Sequence, residues 1–511
     1  MAASANPRIG LRRVKRAHSV ARALQDFASC VQFLDLPLPG RLRHSIQQSG
    51  IQLIAGAASQ NVTGSEFGSL DPFAFQAILD QQQPDWFIAD GFALDASVRK
   101  IFESRDVRVA EIDAVNLHEG EYSGTTAVSL KIAPWDRREY FNAPNAELLS
   151  GPDFVPLATS YNETLSRQIP TRMKRIVIWI EDVASAIIYE PLLAAISQVQ
   201  LPYCSVDLFL PPGVSHDEQL MQVARDCSRS VRIHSQAGRG PGLLQQADLA
   251  IVGPGTVFME AASLGVPMML VDDAAYAPAW LDPDQAPCVF VDADSDVVTI
   301  AKQLRVVARG KELREKMAEA GRALVDGNGA RRIARSAAVY DFDFRRVCMD
   351  DARVLHDWRN DPETRAMSFD GGPISFEQHA HWMQEVTCAG REDVFMIEDQ
   401  HRQAIGTWQL EFDSESRVAD MSLLLVPGMR GRGLGTALIE KACRSVSRIR
   451  SVAEFTAHIR PKHPMAQAAF TNAGFEATGP VQINGELATR FHYRPRTIIP
   501  IEQQSQRRKA S

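Results

Sequence analysis

Residues 424–437 read LLVPGMRGRGLGTA, and this stretch decides the fold of the C-terminal part of the chain. An apolar strand ends at Pro427-Gly428, a glycine-rich turn follows, and a helix pattern begins at Thr436. Successive backbone N–H groups in such a turn point the same way, and a helix N-terminus adds about half a positive charge. The stretch therefore predicts a backbone cradle for an anion, to which Arg430 and Arg432 add positive charge.

Two other glycine-rich phosphate loops do not fit this stretch. A dinucleotide fingerprint needs G-x-G-x-x-G in a βαβ unit with an acidic residue ~20 residues later, and its third glycine is missing here. A P-loop needs Gly-Lys followed by Ser or Thr, which is also missing. A tight strand–helix turn without a ligand remains as the alternative.

The spacing Arg430-x-x-Gly433-x-Gly435 resembles the pyrophosphate loop of the GNAT acetyltransferases, R/Q-x-x-G-x-G/A, which holds acetyl-CoA. The resemblance implies a mixed α/β GNAT domain with acetyl-CoA as its cofactor. The residues that it implies for acetyl-CoA binding are Leu425, Val426, Arg430, Gly431, Arg432, Gly433, Leu434, Gly435 and Thr436.

Residues 345–497 cover the whole length of a GNAT domain, and their signals follow the order of the family. The run W-R-N-D-P at 358–362 resembles GNAT members that act on amino sugars and on protein N-termini. Residues 405–410 and 419–425 predict consecutive strands before the loop, and A-F-T-N-A-G-F at 469–475 resembles the closing element of the family.

Acetyl transfer to an amine needs a group that takes the amine proton and a donor for the negative charge on the carbonyl oxygen. In the family the donor is a backbone N–H of the strand before the loop, which implies Leu425 or Val426. A carboxylate, often acting through water, takes the proton. Asp420 on that strand and Glu411 at the end of the preceding strand are the catalytic candidates, and a solvated strand-edge acid is the alternative for each.

The chain departs from the family pattern at the group that protonates the leaving thiolate. The tyrosine that usually does this would fall at Phe470, which has no proton to give. His463 stands where the family commonly has asparagine. His458, His463, Tyr493 or water is left as the acid, and each histidine is equally compatible with a surface or hydrogen-bonded core position.

A second signal lies in residues 247–267, ADLAIVGPGTVFMEAASLGVP. A strand ends at a glycine turn, a helix begins at Thr256, and a carboxylate follows one turn later at Glu260. The pattern resembles the C-terminal half of GT-B nucleotide-sugar proteins, with a plain Rossmann turn as the alternative. It implies UDP-sugar contacts from Gly253, Gly255, Thr256 and Glu260.

Short apolar runs alternate with helical segments before residue 340, as in 175–180, 249–252 and 268–271. The helical patterns include Arg16 to Phe27 and a long stretch from Val297 to Val325. This alternation predicts βαβ units and parallel sheets. We therefore expect two Rossmann-like halves of GT-B type at 8–165 and 166–338, the GNAT domain at 345–497, and a disordered tail at 498–511.

Residues 8 to 338 also resemble the UDP-sugar hydrolases of pseudaminic acid biosynthesis. The segment P-D-W-F-I-A-D-G-F-A-L-D at 84–95 resembles their P-D-x-x-V-x-D-x-Y-x-L-D, which makes Asp90 a substrate-binding candidate. The run D-G-N-G-A at 326–330 resembles their closing D-G-x-G-A. Arg8-Ile9-Gly10-Leu11, with Arg16 and Ala21, matches the phosphate-side turn in outline.

The first departure from the hydrolases is at the proposed catalytic histidine, since Arg12-Arg13 occupy the Gly-His positions. A guanidinium stays protonated and cannot act as a general base. Ile180-Glu181-Asp182 replaces a glycine pair, and Gly91 stands at a position that is usually histidine. These departures favour a retained fold over a retained hydrolase activity.

The bulk composition is that of an ordinary globular protein, with 511 residues, 45% hydrophobic and 23% charged. The net charge of −7 argues against a nucleic-acid partner, and no apolar run is long enough to span a membrane. The seven cysteines form no C-x-x-C pair, so we expect reduced thiols in the cytoplasm and no metal site.

Two hypotheses of different class follow. The first is an N-acetyltransferase for a UDP-linked amino sugar, fused to a UDP-sugar hydrolase-like domain that is active or degenerate, since these two steps are consecutive in pseudaminic acid synthesis. The second is a single-activity GNAT enzyme with a non-catalytic binding or scaffold module. A glycosyltransferase lacks an identifiable base, and an enzyme for protein N-termini leaves the first 340 residues unexplained. The sequence leaves the sugar and the oligomeric state open.

Overall fold

The computed structural model describes residues 1–3, 12–36, 38–55, 71–90, 96–112, 128–134, 146–157, 161, 168–180, 189–210, 218–234, 240–272, 286–389 and 393–495. The chain divides into two compact units. The first, here the N-terminal unit, contains Met1–Gln25 and Ser29–Ile333, and the second, the C-terminal unit, contains Asp26–Ala28 and Ala334–Thr497. Arg8–Leu11, which carried part of the hydrolase resemblance, lies outside the described residues, and so do Gly91 and Glu181-Asp182, which depart from the hydrolases.

The first half of the N-terminal unit is built on a parallel sheet. Its strands are β1 (Ala2–Ala3), β2 (Gln32–Asp35), β3 (Gln52–Ala55), β4 (Trp86–Asp90), β5 (Arg108–Ile112), β6 (Leu130–Ala133) and β7 (Glu147–Ser150). The pairing gives the orders β1-β4-β5-β6-β7 and β2-β3. The Leu34 amide donates to the Met1 carbonyl at 2.9 Å, which joins the two groups. The helices are α1 (Arg12–Leu24), α2 (Gly40–Gln48), α3 (Pro72–Gln82) and α4 (Ala96–Glu103).

The second half repeats this plan with the strand order β10-β9-β8-β11-β12-β13, all parallel. The strands are β8 (Arg175–Trp179), β9 (Ser205–Phe209), β10 (Ser230–His234), β11 (Leu249–Val252), β12 (Met268–Asp272) and β13 (Cys288–Asp292). The helices are α5 (Tyr189–Gln198), α6 (Glu218–Asp226), α7 (Gly240–Gln246), α8 (Thr256–Ser263), α9 (Val297–Arg309), α10 (Lys311–Leu324) and α11 (Gly329–Ala338).

Burial explains why these apolar runs form parallel strands. All four residues of β11 are buried, as expected when helices cover both faces of a sheet. The strand orders of both halves are compatible with two Rossmann-like folds, and the GT-B assignment and the predicted boundaries remain predictions. Among the described residues, no helix is long and apolar enough to cross a membrane.

The predicted helical stretch Val297 to Val325 is two helices. Gly310 separates α9 from α10 with backbone angles of −85° and 83°, which are not helical. The helical periodicity continues on both sides of this glycine, so the pattern of apolar residues did not reveal the break. The first helix likewise begins at Arg12, earlier than the Arg16 that the sequence pattern indicated.

The C-terminal unit has a mixed sheet in the order β14-β15-β16-β17-β18-β20-β19. The strands are β14 (Asp343–Arg346), β15 (Asp393–Glu398), β16 (Ala404–Asp413), β17 (Val418–Leu425), β18 (Glu454–Ile459), β19 (Glu476–Ile483) and β20 (Glu486–Tyr493). The helices are α12 (Ala352–Asn360), α13 (Pro362–Met367), α14 (Phe376–Gln384), α15 (Leu434–Ile449) and α16 (Pro464–Asn472).

Each face of this mixed sheet has its own neighbours. Alternate residues such as Trp408, Met421 and Phe455 form one core with the apolar side of α15. On the other face, Met396 of β15 belongs to a smaller core with Leu355 of α12 and residues of α14. The rest of that second face carries polar side chains, which the site below uses.

A buried ion pair inside the C-terminal unit joins Arg335 to Glu440 of α15. Arg335 lies near the end of α11, in the part of that helix that belongs to the C-terminal unit. Arg335 donates to both carboxylate oxygens of Glu440 at 2.9 and 2.5 Å, and the two side chains are 9% and 7% exposed. Removing one partner of such a pair leaves a buried charge without its counterion.

We expect Glu440→Ala to lower the free energy of unfolding of the C-terminal unit by about 3 kcal/mol. Asp343→Ala is the matched control, because its pair with Arg402 is 54% and 73% exposed, and we expect a loss below about 1 kcal/mol. Urea unfolding followed by circular dichroism measures both. Equal losses in the two variants would contradict this role of the buried pair.

Candidate acetyl-CoA site

Strands β17 and β18 separate along their length, and this opening is the centre of the site. Within the described sheet, β17 pairs with β18 through Val418, Ala419 and Asp420, which face Glu454, Phe455 and Thr456. The pairing of β17 with β16 continues to Leu425, which faces Gly406. From Met421 onward the β18 side of β17 therefore has backbone groups without a β18 partner among the described residues.

The direction of the amides distinguishes the two predicted donors to the carbonyl oxygen. The Val426 N–H donates to the Ile405 carbonyl at 3.0 Å, on the β16 side. Because amides alternate along an antiparallel strand, the Leu425 N–H points to the opposite side, into the opening. The Val426 N–H is thus engaged in the sheet, which favours Leu425 as the candidate donor.

The loop after β17 has the shape of an anion cradle. A 3₁₀ turn at Pro427–Met429 leads to Gly431 and Gly433, whose φ angles are 75° and 74°. Residues with a Cβ rarely adopt such angles, so the turn requires glycine at these places. Helix α15 begins at Leu434, two residues before the Thr436 start that the sequence indicated, and no side chain among the described residues caps it.

The uncapped end leaves the first-turn N–H groups of α15, including those of Leu434, Gly435 and Thr436, without intrahelical partners. These donors and the helix dipole suit a diphosphate. The exposed Arg432 lies in the same turn. A Cβ added at Gly433 would lie 3.3 Å from the ring of Phe27, so a side chain there would crowd the turn that holds these donors in place.

Arg430 braces the loop. Its Nε donates to the Leu425 carbonyl at 2.8 Å, and its two Nη atoms reach Glu363 at 2.8 Å and Thr364 Oγ1 at 3.1 Å. The guanidinium therefore ties the end of β17 to the start of α13. The sequence motif marked Arg430 as a ligand cation, and the geometry gives it these three protein partners.

Helix α13 is held at its other end by Arg460, which directly follows β18. Arg460 Nη1 donates to the carbonyls of Ala366 and Ser368 at 3.1 and 2.7 Å. At the N-terminus of α13, the backbone N–H of Thr364 donates to Asp361 and holds the pKa of that carboxyl below its usual value. Helix α13 thus connects the two strands where they diverge.

A row of polar side chains crosses the sheet beside the opening. Glu411, Asp420 and Thr456 are neighbours in register on β16, β17 and β18. Thr456 Oγ1 donates to Asp420 Oδ1 at 2.6 Å, and His458 Nδ1 lies 3.1 Å from the same oxygen. Glu411 is exposed and lies one strand farther from the opening than Asp420.

The predicted acids Tyr493 and His463 are poorly placed or poorly suited, and the position where the family has its usual tyrosine, Phe470, lies in the core. Phe470 is 5% exposed and packs edge-on against Phe475 at 5.0 Å. Tyr493 is half-buried and its ring packs against Phe475 and Phe455. Burial, with Arg460 and Lys462 nearby, lowers the pKa of His463, so its protonated form is scarce near neutral pH.

In the N-terminal unit, the structure brings three predicted positions together at the ends of strands. Asp90 is fully buried at the end of β4, and Arg16 of α1 donates to both its oxygens at 2.7 and 2.6 Å. Arg16 also donates to Thr256 Oγ1 at 3.3 Å, where α8 begins. Gly255 has a φ of 114°, which a side chain would strain, and Glu260 is 6% exposed. Gly253 is buried directly after β11.

Some site residues had no motif to mark them. Thr456 and Arg460 belong to no family signature in the sequence, although the alternation of Thr456 and His458 with apolar residues in EFTAHI places both on the polar face. Arg16 was visible as a residue of the hydrolase resemblance, and its pairing with Asp90 required the fold.

Comparison with known proteins agrees with the geometry of the C-terminal unit. Residues 342–476 match the acetyltransferase (GNAT) domain family. The C-terminal unit therefore carries a GNAT acetyltransferase domain, and acetyl-CoA is its cofactor. No curated protein matches the chain.

Two of the solved structures that are similar to the chain each align with about a third of it. An aminoglycoside acetyltransferase, AAC(6')-Ib, in complex with coenzyme A is 17% identical, covering 33% of this chain and 99% of its own, with a TM-score of 0.28. A spermidine N-acetyltransferase from Vibrio cholerae in complex with CoA and spermine is 21% identical, covering 31% and 99%, with a TM-score of 0.29.

We expect Gly433→Glu to abolish acetyl-CoA binding, because it adds a negative charge at the N-terminus of α15, brings a Cβ within 3.3 Å of the Phe27 ring and strains a residue with φ of 74°. Gly428→Ala is the control in the same loop, since a Cβ there would meet no atom within 4 Å. Calorimetric titration with acetyl-CoA measures both variants. Wild-type affinity in Gly433→Glu would mean that the cofactor binds elsewhere.

Proposed function

We propose that the chain transfers the acetyl group of acetyl-CoA to the amine of a nucleotide-linked amino sugar. The opening between β17 and β18 carries this proposal, because it is bordered by an uncapped helix N-terminus and by the carboxylate of Asp420, with Glu411 one strand farther away. The two sides suit the two ligands that such a reaction brings together.

The roles of the residues follow from their positions. The N–H groups of Leu434, Gly435 and Thr436 bind the pyrophosphate, with Gly431 and Gly433 shaping the turn. The Leu425 N–H donates to the carbonyl oxygen where negative charge develops. When bound, acetyl-CoA supplies an acetyl group activated as a thioester.

The acceptor side favours a cationic amine. Glu411 and Asp420 are directly opposite each other on β16 and β17, and Glu411 is exposed. Two carboxylates on neighbouring strands attract an ammonium group and orient it before it loses a proton. Asp420, which adjoins the opening, is better placed to act on the amine than Glu411, which we assign to acceptor binding.

We propose separately that the N-terminal unit is a nucleotide-binding module. Thr256 and Gly255 at the start of α8 would receive the diphosphate, and Arg16 provides positive charge beside Thr256. Glu260, one turn into α8, would accept from sugar hydroxyls. The pathway suggested by the sequence resemblance is the nonulosonic, pseudaminic type.

We infer that the N-terminal unit binds UDP-sugars without hydrolysing them. Asp90 is fully buried and paired with Arg16. A carboxylate in this position is unsuited to taking a proton from water. Arg13, at the position of the hydrolase histidine, is a guanidinium. The alternative is a scaffold module that binds no nucleotide.

A panel of amines tests the acceptor. We expect the full chain to release free thiol from acetyl-CoA with a UDP-linked amino sugar at a higher kcat/KM than with spermidine or an aminoglycoside. The release of CoA, followed with a thiol reagent, gives the rates. Preference for a free amine without the nucleotide would contradict the proposed acceptor and leave the acetyltransferase activity in place.

Calorimetric titration with UDP tests the N-terminal unit separately. We expect Thr256→Val to weaken UDP binding about tenfold, the value of one hydrogen bond to a charged ligand. Ser263→Ala removes a hydroxyl from the other end of α8, where it donates to the Glu260 carbonyl, and should leave the affinity unchanged. No UDP binding by the wild-type chain would favour the scaffold alternative.

A further inference from the structure

We propose that Asp420 and His458 act as a pair, in which His458 takes the proton from the amine and returns it to the sulfur, and Asp420 positions the imidazole. The proposal rests on the acetyltransferase function proposed above. It replaces Asp420 as the base, and it selects His458 among the candidate acids that the sequence left open.

The pair lies at the point where the two strands separate. Asp420 and Thr456 are the last residues of β17 and β18 that pair with each other in the described sheet. His458 follows two residues later on the same face of β18, beyond that last pair. Its side chain is 24% exposed, so the imidazole is supported by protein and still reachable by an acceptor.

Asp420 is fixed before it meets the imidazole. Thr456, which is 3% exposed, donates its hydroxyl to Asp420 Oδ1 at 2.6 Å. The same oxygen lies 3.1 Å from His458 Nδ1. A carboxylate at this place favours the tautomer that carries its proton on Nδ1, which leaves the Nε2 lone pair as the base. Contacts of this kind commonly tighten when the substrate binds.

The other charges near His458 are matched by their own partners. Arg490 faces His458 in register on β20, and its Nη2 donates to Glu454 Oε1 at 2.9 Å. Arg460, which directly follows β18, pairs with Glu486 of β20. Asp420 is therefore the carboxylate that faces the imidazole from β17, and it is the charge that sets the tautomer.

Imidazole suits this proton transfer better than a carboxylate does. The ordinary pKa of histidine is about 6.5 and that of aspartate about 3.9, and the base is most effective when its pKa is close to the working pH. As a class of side chain, imidazole meets this condition better than carboxylate does. Asp420 contributes its charge through His458 without itself accepting the proton.

The proton balance closes on one residue. As the amine nitrogen bonds to the acetyl carbon, His458 Nε2 accepts the amine proton and becomes an imidazolium. As the carbon–sulfur bond breaks, His458 donates that proton to the sulfur, so the products are the amide and the free thiol of CoA. Phe470, which has no proton to give and is buried against Phe475, is then not required as an acid.

The first test does not depend on activity. We expect ¹⁵N NMR of the histidine-labelled full chain to show neutral His458 mainly as the Nδ1–H tautomer, with its signals assigned by their loss in His458→Gln. In Asp420→Asn the tautomer ratio of His458 should shift toward that of free imidazole. In Asp420→Glu the Nδ1–H tautomer should again predominate. A tautomer that does not respond to Asp420→Asn would overturn the pair.

The second test is kinetic, with a UDP-linked amino sugar as acceptor. We expect His458→Gln to lower kcat about 10²- to 10⁴-fold, to remove the fall in rate on the acidic side of the pH profile, and to leave acetyl-CoA affinity unchanged. Asp420→Asn should lower kcat by less, with Asp420→Glu recovering part of it. An unchanged kcat and pH profile in His458→Gln would exclude it as the base.

The two tests separate the pair from the acceptor. If the wild-type chain acetylates other amines of the panel but not the UDP-linked sugar, the proposed acceptor is wrong, and the kinetic test is decided with the amine that is turned over. Acetyl-CoA titration of each variant tests whether its C-terminal unit is folded. If His458→Gln does not bind acetyl-CoA, His458→Asn replaces it in both tests.

Discussion

The site depends on one departure from regular sheet structure, the separation of β17 from β18 after Asp420 and Thr456. A continuous sheet would satisfy every backbone group between these strands and leave no place for a ligand. Because β17 stays paired with β16 as far as Leu425, the opening is one-sided. It presents strand amides to a ligand, while the core below, which includes Trp408 and Phe455, remains packed.

The opening has a specific support in α13. Arg430 joins this helix to the end of β17 and Arg460 joins it to the residues after β18. The W-R-N-D-P segment at 358–362 leads into this helix, so Arg430 connects the segment to the loop after β17.

The sequence predicted those features that short-range chemistry determines. The glycines at 431 and 433, the strand before them and the helix after them follow from local turn and helix rules, and the apolar runs of β4, β8 and β11 follow from burial on both faces. It could not predict the partners of Arg430, since Glu363 lies 67 residues away. The amide directions of Leu425 and Val426 depend on the register of β17 with β16. The approach of His458 to Asp420 depends on the pairing of β17 with β18. A single sequence specifies neither strand pairing.

Hydrogen–deuterium exchange with and without acetyl-CoA tests most directly whether the opening and the loop hold the cofactor. The account predicts slower exchange in peptides that span residues 421–437, where the amides of β17, the turn and the first turn of α15 acquire acceptors. Peptides of β14, at the far edge of the sheet, should exchange as before. Protection by acetyl-CoA elsewhere in the chain with none in residues 421–437 would contradict it.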